Sequence, residues 1–236
     1  MASRNVLPGD IVTPKYTNNL KLGPGLHQPQ AASSEGSENH KTIIVATCAG
    51  TLESKGKNKY YVEANGKRYV PAGQEPVVGV VTARMGEAYR VDIGSAHPAT
   101  LDALAFEGAT KRNRPNLRVG SLVYARVSLA NKNLEPELEC FDGQTHKSEG
   151  FGELKGGLVK KCSLGLARKL LDPDHFLLPL LGARFSLDAA IGVNGKVWFK
   201  APTVKQTIAI SRCIEAVDER SLEKAELTAF LNTLDV

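Results

Sequence analysis

The sequence predicts a multidomain fold: an all-β N-terminal domain over residues 1–75, a small closed β-barrel over 76–145 and an α+β domain over 150–236. Three observations predict it. The chain has 236 residues, 42% of them hydrophobic, more than one small domain needs and enough to bury a sizeable core. Short β-branched and aromatic runs punctuated by Gly and Asn-Gly fill the first two thirds. The last third alternates strand-like and helix-like patterns.

In the first block, "LPGDIV" (7–12) places a Pro-Gly turn before a short apolar strand. Residues 27–41, "HQPQAASSEGSENHK", are polar and almost without large apolar side chains, which predicts a mobile loop. Asn65-Gly66 predicts a two-residue hairpin between Tyr60-Tyr-Val62 and Arg68-Tyr-Val70. The second block holds five β segments, "PVVGVVTARMG", "EAYRVDIGSA", "ATLDALAF", "VGSLVYARVSLANK" and "EPELECFD". Their order and size suit an OB-fold barrel, with "EGATKRNRPNLRVG" (107–120) as an exposed loop. In the third block "GGLVKKCS" reads as a strand, and "LGLARKLL" as a helix capped by Ser163. A second helix is expected from Asp172 as cap and Pro173 as first residue. "ARFSLDAAIG" and "KVWFKA" are strands joined through Asn194-Gly195. "PTVKQTIAISRCIEAVDE" is an amphipathic helix, and a last helix opens near Ser221. Strand, helix, helix, strand, strand, helix is the order of a KH domain of the eukaryotic kind.

Thirty basic residues against 25 acidic ones leave a net charge of +5. That excess fits a nucleic-acid partner, and the decisive question is whether the cations cluster. The four cysteines, Cys48, Cys140, Cys162 and Cys213, form no C-x-x-C pair. They read as small buried side chains in a reducing compartment rather than a zinc site. No signal-peptide core or membrane-spanning window appears, so a soluble intracellular protein with no membrane partner is expected. His97 has no second histidine or carboxylate pair near it in sequence, and Asp92 and Asp102, ten apart, read as solvent-facing. No Gly-rich phosphate loop opens a helix and no nucleophile motif is present. These residues argue against an enzyme and suggest no cofactor.

The cations do cluster. Lys111-Arg112-Asn113-Arg114 puts three in four residues, which repel one another unless anions arrive; on a barrel rim they can follow a phosphate backbone. The plainer reading is a solvated loop, or one that meets an acidic protein face. Arg84 and Arg90 are lesser candidates. Gly192-Val-Asn-Gly195 has the G-x-x-G spacing of the KH backbone clamp. It lies between two strands, however, whereas the clamp belongs between the first two helices. That slot is Leu171-Asp172-Pro173-Asp174, with no glycine for close approach and two carboxylates that repel phosphate. Positive φ at Asn194 and Gly195 in a tight hairpin accounts for the spacing, and Trp198 is expected in a domain contact.

Five stretches together, "GDIV", "KRYVP", "FEGATKRNRPN", "LGLARKLL" and "GVNGKVW", resemble one family over nearly the whole chain. The sequence looks like the RNA exosome cap subunits of the ribosomal RNA-processing protein forty family. A sister cap subunit shares the domain plan but is not expected to carry the "FEGATKRNRPN" loop. The resemblance implies an S-one-type OB barrel, in which Tyr89 would be the aromatic that stacks on a base. It further implies a non-catalytic subunit that sits with two other cap subunits on a six-membered ring. There it would help bind the ring and guide single-stranded RNA to a separate 3′→5′ nuclease, in nucleus, nucleolus and cytoplasm. On the residues alone, a free-standing RNA-binding protein of translation or ribosome assembly, or a nuclease, remains open.

Overall fold

The computed structural model describes residues 4–13, 20–29, 43–56, 58–131 and 133–233. The chain forms two compact units, Met1–Asn65 and Gly66–Val236.

The first unit is all β: β1 (Arg4–Val6), β2 (Ile11–Val12), β3 (Lys21–Leu22), β4 (Leu26–His27), β5 (Ile44–Ala46), β6 (Gly50–Lys55) and β7 (Lys59–Glu63). They make two small sheets, β1-β6-β7-β3 and β2-β5-β4. Val6, Val12, Ile44, Ala46 and Val62 form the core between them. Leu7 N–H donates to Asp10 Oδ2 at 2.9 Å, closing the Pro-Gly turn before β2. Of the expected loop 27–41, His27 ends β4 and residues 30–42 lie outside the described residues. The hairpin expected at Asn65-Gly66 is not formed. β7 takes β6 as its antiparallel partner, and residues 68–70 are not a strand. Tyr69 is instead part of the barrel core and its hydroxyl donates to Glu75 Oε2 at 2.6 Å. Burial, followed by the Glu75 carboxylate, pushes its phenol far above the ordinary value.

The second unit opens with the barrel: β8 (Pro76–Met85), β9 (Ala88–Asp92), β10 (Ala99–Phe106), β11 (Leu122–Leu129) and β12 (Glu137–Cys140). The order is β12-β10-β9-β8-β11, and an additional β11–β12 pairing closes it. β13 (Gly152–Leu154) adds to the other half of β11. Period-2 alternation builds the interior: Val77, Val81, Tyr89, Val91, Leu101, Val123, Val127 and Leu138 point inward. Arg126 is the exception. It is 7% exposed, and its guanidinium donates to Gln74 Oε1 at 2.8 Å, Asp142 Oδ1 at 2.9 Å and the Glu139 carboxylate. A buried charge persists only when paired this fully.

The rest is α+β: β14 (Leu158–Lys161), α1 (Leu164–Leu170), α2 (Leu177–Arg184), β15 (Asp188–Gly192), β16 (Lys196–Lys200), α3 (Val204–Arg220) and α4 (Lys224–Thr233). The sheet is antiparallel in the order β14-β16-β15. All four residues Lys196 to Phe199 are buried, because both faces of the sheet are covered. Val197 and Phe199 pack among the helices, while Trp198 and Ala190 pack on Val78 of the barrel. Ser163 caps α1, its Oγ accepting from Leu166 N–H at 3.1 Å. α2 starts four residues later than Asp172 as cap would place it, at Leu177 after Phe176. Asp172 Oδ1 accepts from Asp174 N–H at 3.2 Å and its carbonyl from His175 N–H at 3.1 Å, so a local turn outcompetes the helix. Ser221 does not open the last helix. It ends α3 in the left-handed region at φ 51°, and α4 begins at Lys224.

Candidate nucleic-acid interface

The basic loop joins β10 to β11 and is built in tied steps. Phe106 is buried at its base, and Phe106 carbonyl accepts from Ala109 N–H at 3.1 Å. Thr110 and Asn113 exchange both backbone hydrogen bonds, at 3.0 and 3.1 Å, and Thr110 Oγ1 also accepts from Asn113 N–H. Lys111 and Arg112 therefore form the two-residue tip of a tight turn. Both are exposed, and neither has an ion-pair partner among the described residues. Arg114 comes next and pairs with Glu87 at 3.3 Å. This exposed pair contributes about 0.2–1 kcal/mol, little enough for Arg114 to exchange it for a phosphate. Pro115 carbonyl accepts from the Tyr89 hydroxyl at 2.6 Å, Asn116 Oδ1 from Arg84 Nη1 at 2.6 Å, and Leu117 is buried in the barrel core. The tip is free and the leg behind it is held.

The structure brings five of the six RNA-binding candidates together: Lys111, Arg112, Arg114, Arg84 and Tyr89. Arg90 stands apart, paired with Glu135 of the β11–β12 connection at 3.2 Å. Tyr89 does not offer a ring for base stacking. It is 1% exposed, on the inward face with Val91, and its hydroxyl is spent on the loop. The other barrel aromatics are likewise engaged. Phe106 is core, Tyr124 stacks on Phe151 with ring centroids 4.8 Å apart, and Phe141 lies 5.3 Å from His146. The loop thus offers charge rather than stacking surface, which suits a phosphate backbone. Sequence reasoning passed over Thr110, Glu87, Asn116 and the exposed Arg118. The signal for Thr110 was there: Thr and Asn flanking two residues is a local turn pattern.

The two G-x-x-G questions also resolve. Between α1 and α2 the chain makes the turn of Asp172 and Asp174. Burial, with Lys169 adding to it, holds His175 below its ordinary value, so it supplies no charge at neutral pH to offset the two carboxylates. The Gly192–Gly195 stretch is an internal bolt. Gly192 pairs with Lys196, leaving a three-residue loop rather than the expected two. Only Gly195 has positive φ, 73°; Asn194 does not. Such loops end in a left-handed residue, and a Cβ at Gly195 would also sit 2.6 Å from Cys162 carbonyl. Asn194, 7% exposed, reaches into the barrel. Its Nδ2 donates to the Val78 and Ile93 carbonyls, both at 2.8 Å, and its Oδ1 accepts from Val78 N–H at 3.2 Å. A Cβ at Gly192 would meet Asn194 Oδ1 at 2.2 Å. Beside it Lys196 Nζ donates to Asp92 carbonyl at 3.1 Å and meets its carboxylate at 3.5 Å. Partial burial opposes the Asp92 charge, yet Gly94 N–H and Lys196 outweigh it and hold the carboxyl below the ordinary value. Trp198, 6% exposed, packs on Val78 and donates from Nε1 to Gly156 carbonyl at 2.8 Å.

Three family models match: "Exosome complex exonuclease Rrp40 N-terminal domain" at 20–68, "Exosome complex component RRP40, S1 domain" at 69–152 and "KH domain" at 157–205. An exosome complex component rrp40 of Schizosaccharomyces pombe is 43% identical, over 92% of this chain and 88% of the relative. The chain belongs to the RRP40 family of exosome complex components. The Homo sapiens RRP40 is 34% identical, over 93% of this chain and 86% of the relative. A crystal structure described as that of an exosome complex RNA-binding protein shares the fold. Its TM-score is 0.59 and its identity 20%, over 72% of this chain and 96% of that one. RRP40-family membership agrees with the S1-type barrel and the KH topology. No helix among the described residues is long and apolar enough to cross a membrane.

Proposed function

We propose that this chain is a non-catalytic RNA-binding cap subunit of the RNA exosome. It would stabilise the ring beside the other cap subunits and guide single-stranded RNA into the channel toward the 3′→5′ nuclease subunit. The observation that carries this reading is the turn tip Lys111-Arg112, exposed and unpaired on a held loop of an S1-type barrel in an RRP40-family chain. Backbone contacts of this kind carry no sequence information, so RNA processing, surveillance and turnover substrates are all admissible. Nucleus, nucleolus and cytoplasm are the compartments the reading assigns, and imaging of a tagged chain checks them.

Two outcomes test the reading. Purified from its own cells under native conditions, the chain is expected in a large multisubunit particle with the other exosome components; a monomer of 25.4 kDa points to a free-standing RNA-binding protein. Incubated alone with labelled RNA and Mg²⁺ or Mn²⁺, the chain is expected to leave the RNA intact, and processive decay overturns the non-catalytic assignment. Among the described residues no group of three or more His, Cys, Asp or Glu is placed to hold a metal ion.

A further inference from the structure

We infer that Tyr89 is a positioning residue for the RNA-facing turn, acting through the loop and never touching RNA; this rests on the reading of the loop as the RNA contact. The strand pair β8–β9 places Arg84 directly opposite Tyr89, with the Arg84 guanidinium 6.0 Å from the ring centroid. From this platform two side chains grip three successive loop residues. The Tyr89 hydroxyl donates to Pro115 carbonyl at 2.6 Å and accepts from Leu117 N–H at 3.4 Å. Arg84 Nη1 donates to Asn116 Oδ1 at 2.6 Å. The hydroxyl therefore serves two backbone groups at once, and the ring that carries it is locked in the barrel core.

The chemistry assigns each part a separate task. Lys111 and Arg112 sit on long, flexible stems and bring the charge, as an ammonium and a guanidinium, but their stems do not fix where it stands. Pro115 cannot donate a backbone hydrogen bond, so its carbonyl is the group by which that residue can be held, and Tyr89 holds it. A loop already ordered does not spend part of its phosphate contacts on becoming ordered at binding. The same ring that could have stacked on a base is used to pre-set the cations that meet the backbone. Tyr89 and Arg84 thus make the barrel a rigid mount for a charge-presenting turn, and the mount accepts any single-stranded nucleic-acid backbone.

The test is Tyr89→Phe in the full chain, which keeps the ring and its packing and deletes one hydroxyl. In the protein without RNA, hydrogen exchange over residues 110–117 is expected to accelerate while the melting temperature moves little. Affinity for a labelled oligouridine is expected to weaken roughly 3–10-fold, the worth of one such hydrogen bond. In a background carrying Lys111→Gln and Arg112→Gln, the same Tyr89→Phe change is expected to cost almost nothing more, because the positioned cations are gone. Unchanged exchange overturns the positioning role. Faster exchange with unchanged oligouridine affinity overturns the reading of the loop as the RNA contact, and the proposal with it. An equal loss in the Gln background shows Tyr89 acting on RNA by itself and also overturns the proposal.

Discussion

Asn194→Ala is expected to destabilise residues 66–236 by roughly 3 kcal/mol while leaving RNA affinity within about twofold. The side chain makes three buried hydrogen bonds to Val78 and Ile93. Each partner left unpaired costs about 1–3 kcal/mol, and water entering the gap recovers part of the sum. At about 2–4 °C per kcal/mol for a chain of this size, the melting temperature should fall by some 6–12 °C. Asn194→Asp keeps the acceptor for Val78 N–H but sets a carboxylate against two carbonyls, and should be no better. Circular dichroism melts with a parallel oligouridine titration check the pair of outcomes. An unaltered melting temperature with lost RNA binding would return the stretch to the role of a nucleic-acid clamp.

The bolt and the mount show where sequence reading succeeded and where it stopped. Barrel strands were legible because apolar and polar residues alternate along each, and the KH order because its strands and helices have different periods. The missing clamp was legible as well: Leu171 to Asp174 holds no glycine and two acids. Tyr89 was misjudged against its own pattern. It alternates with Val91 and Ile93, all buried, whereas Arg90 and Asp92 face outward. The phase of the strand pointed inward, and the expectation of a stacking aromatic overrode it. Asn194 was read as a hairpin residue at a domain interface, but the groups it binds were hidden, because they lie 116 and 101 residues away. Arg126 was not singled out in the sequence at all; its burial depends on acceptors from Gln74, Glu139 and Asp142 together. The helix expected at Asp172 failed because an Asp side chain can close its own turn as readily as it caps a helix. For Asn194 and Arg126 what was missed is a contact between distant segments; for Tyr89 and Asp172 it was a local pattern given the wrong weight.

The second large effect concerns the cations themselves. Changing Lys111, Arg112 and Arg114 together to Glu reverses three charges on one loop. It also puts a carboxylate beside Glu87, where Arg114 had been paired. None of the three side chains is in the barrel core, so folding and assembly should survive. Each phosphate contact on a single strand contributes about 0.7 to the slope of log affinity against log salt. Loss of three should flatten that slope by about 2 and weaken binding most at low salt.

The most direct measurement of the central claim is nuclease protection of RNA by the reconstituted complex, with the wild-type chain or the triple Glu variant, at matched assembly. The protected RNA fragment should shorten or disappear with the variant, while the complex keeps its mass. A protected fragment of unchanged length and yield, on a complex that demonstrably contains the variant, would contradict the assignment of the Lys111–Arg114 turn as the RNA contact.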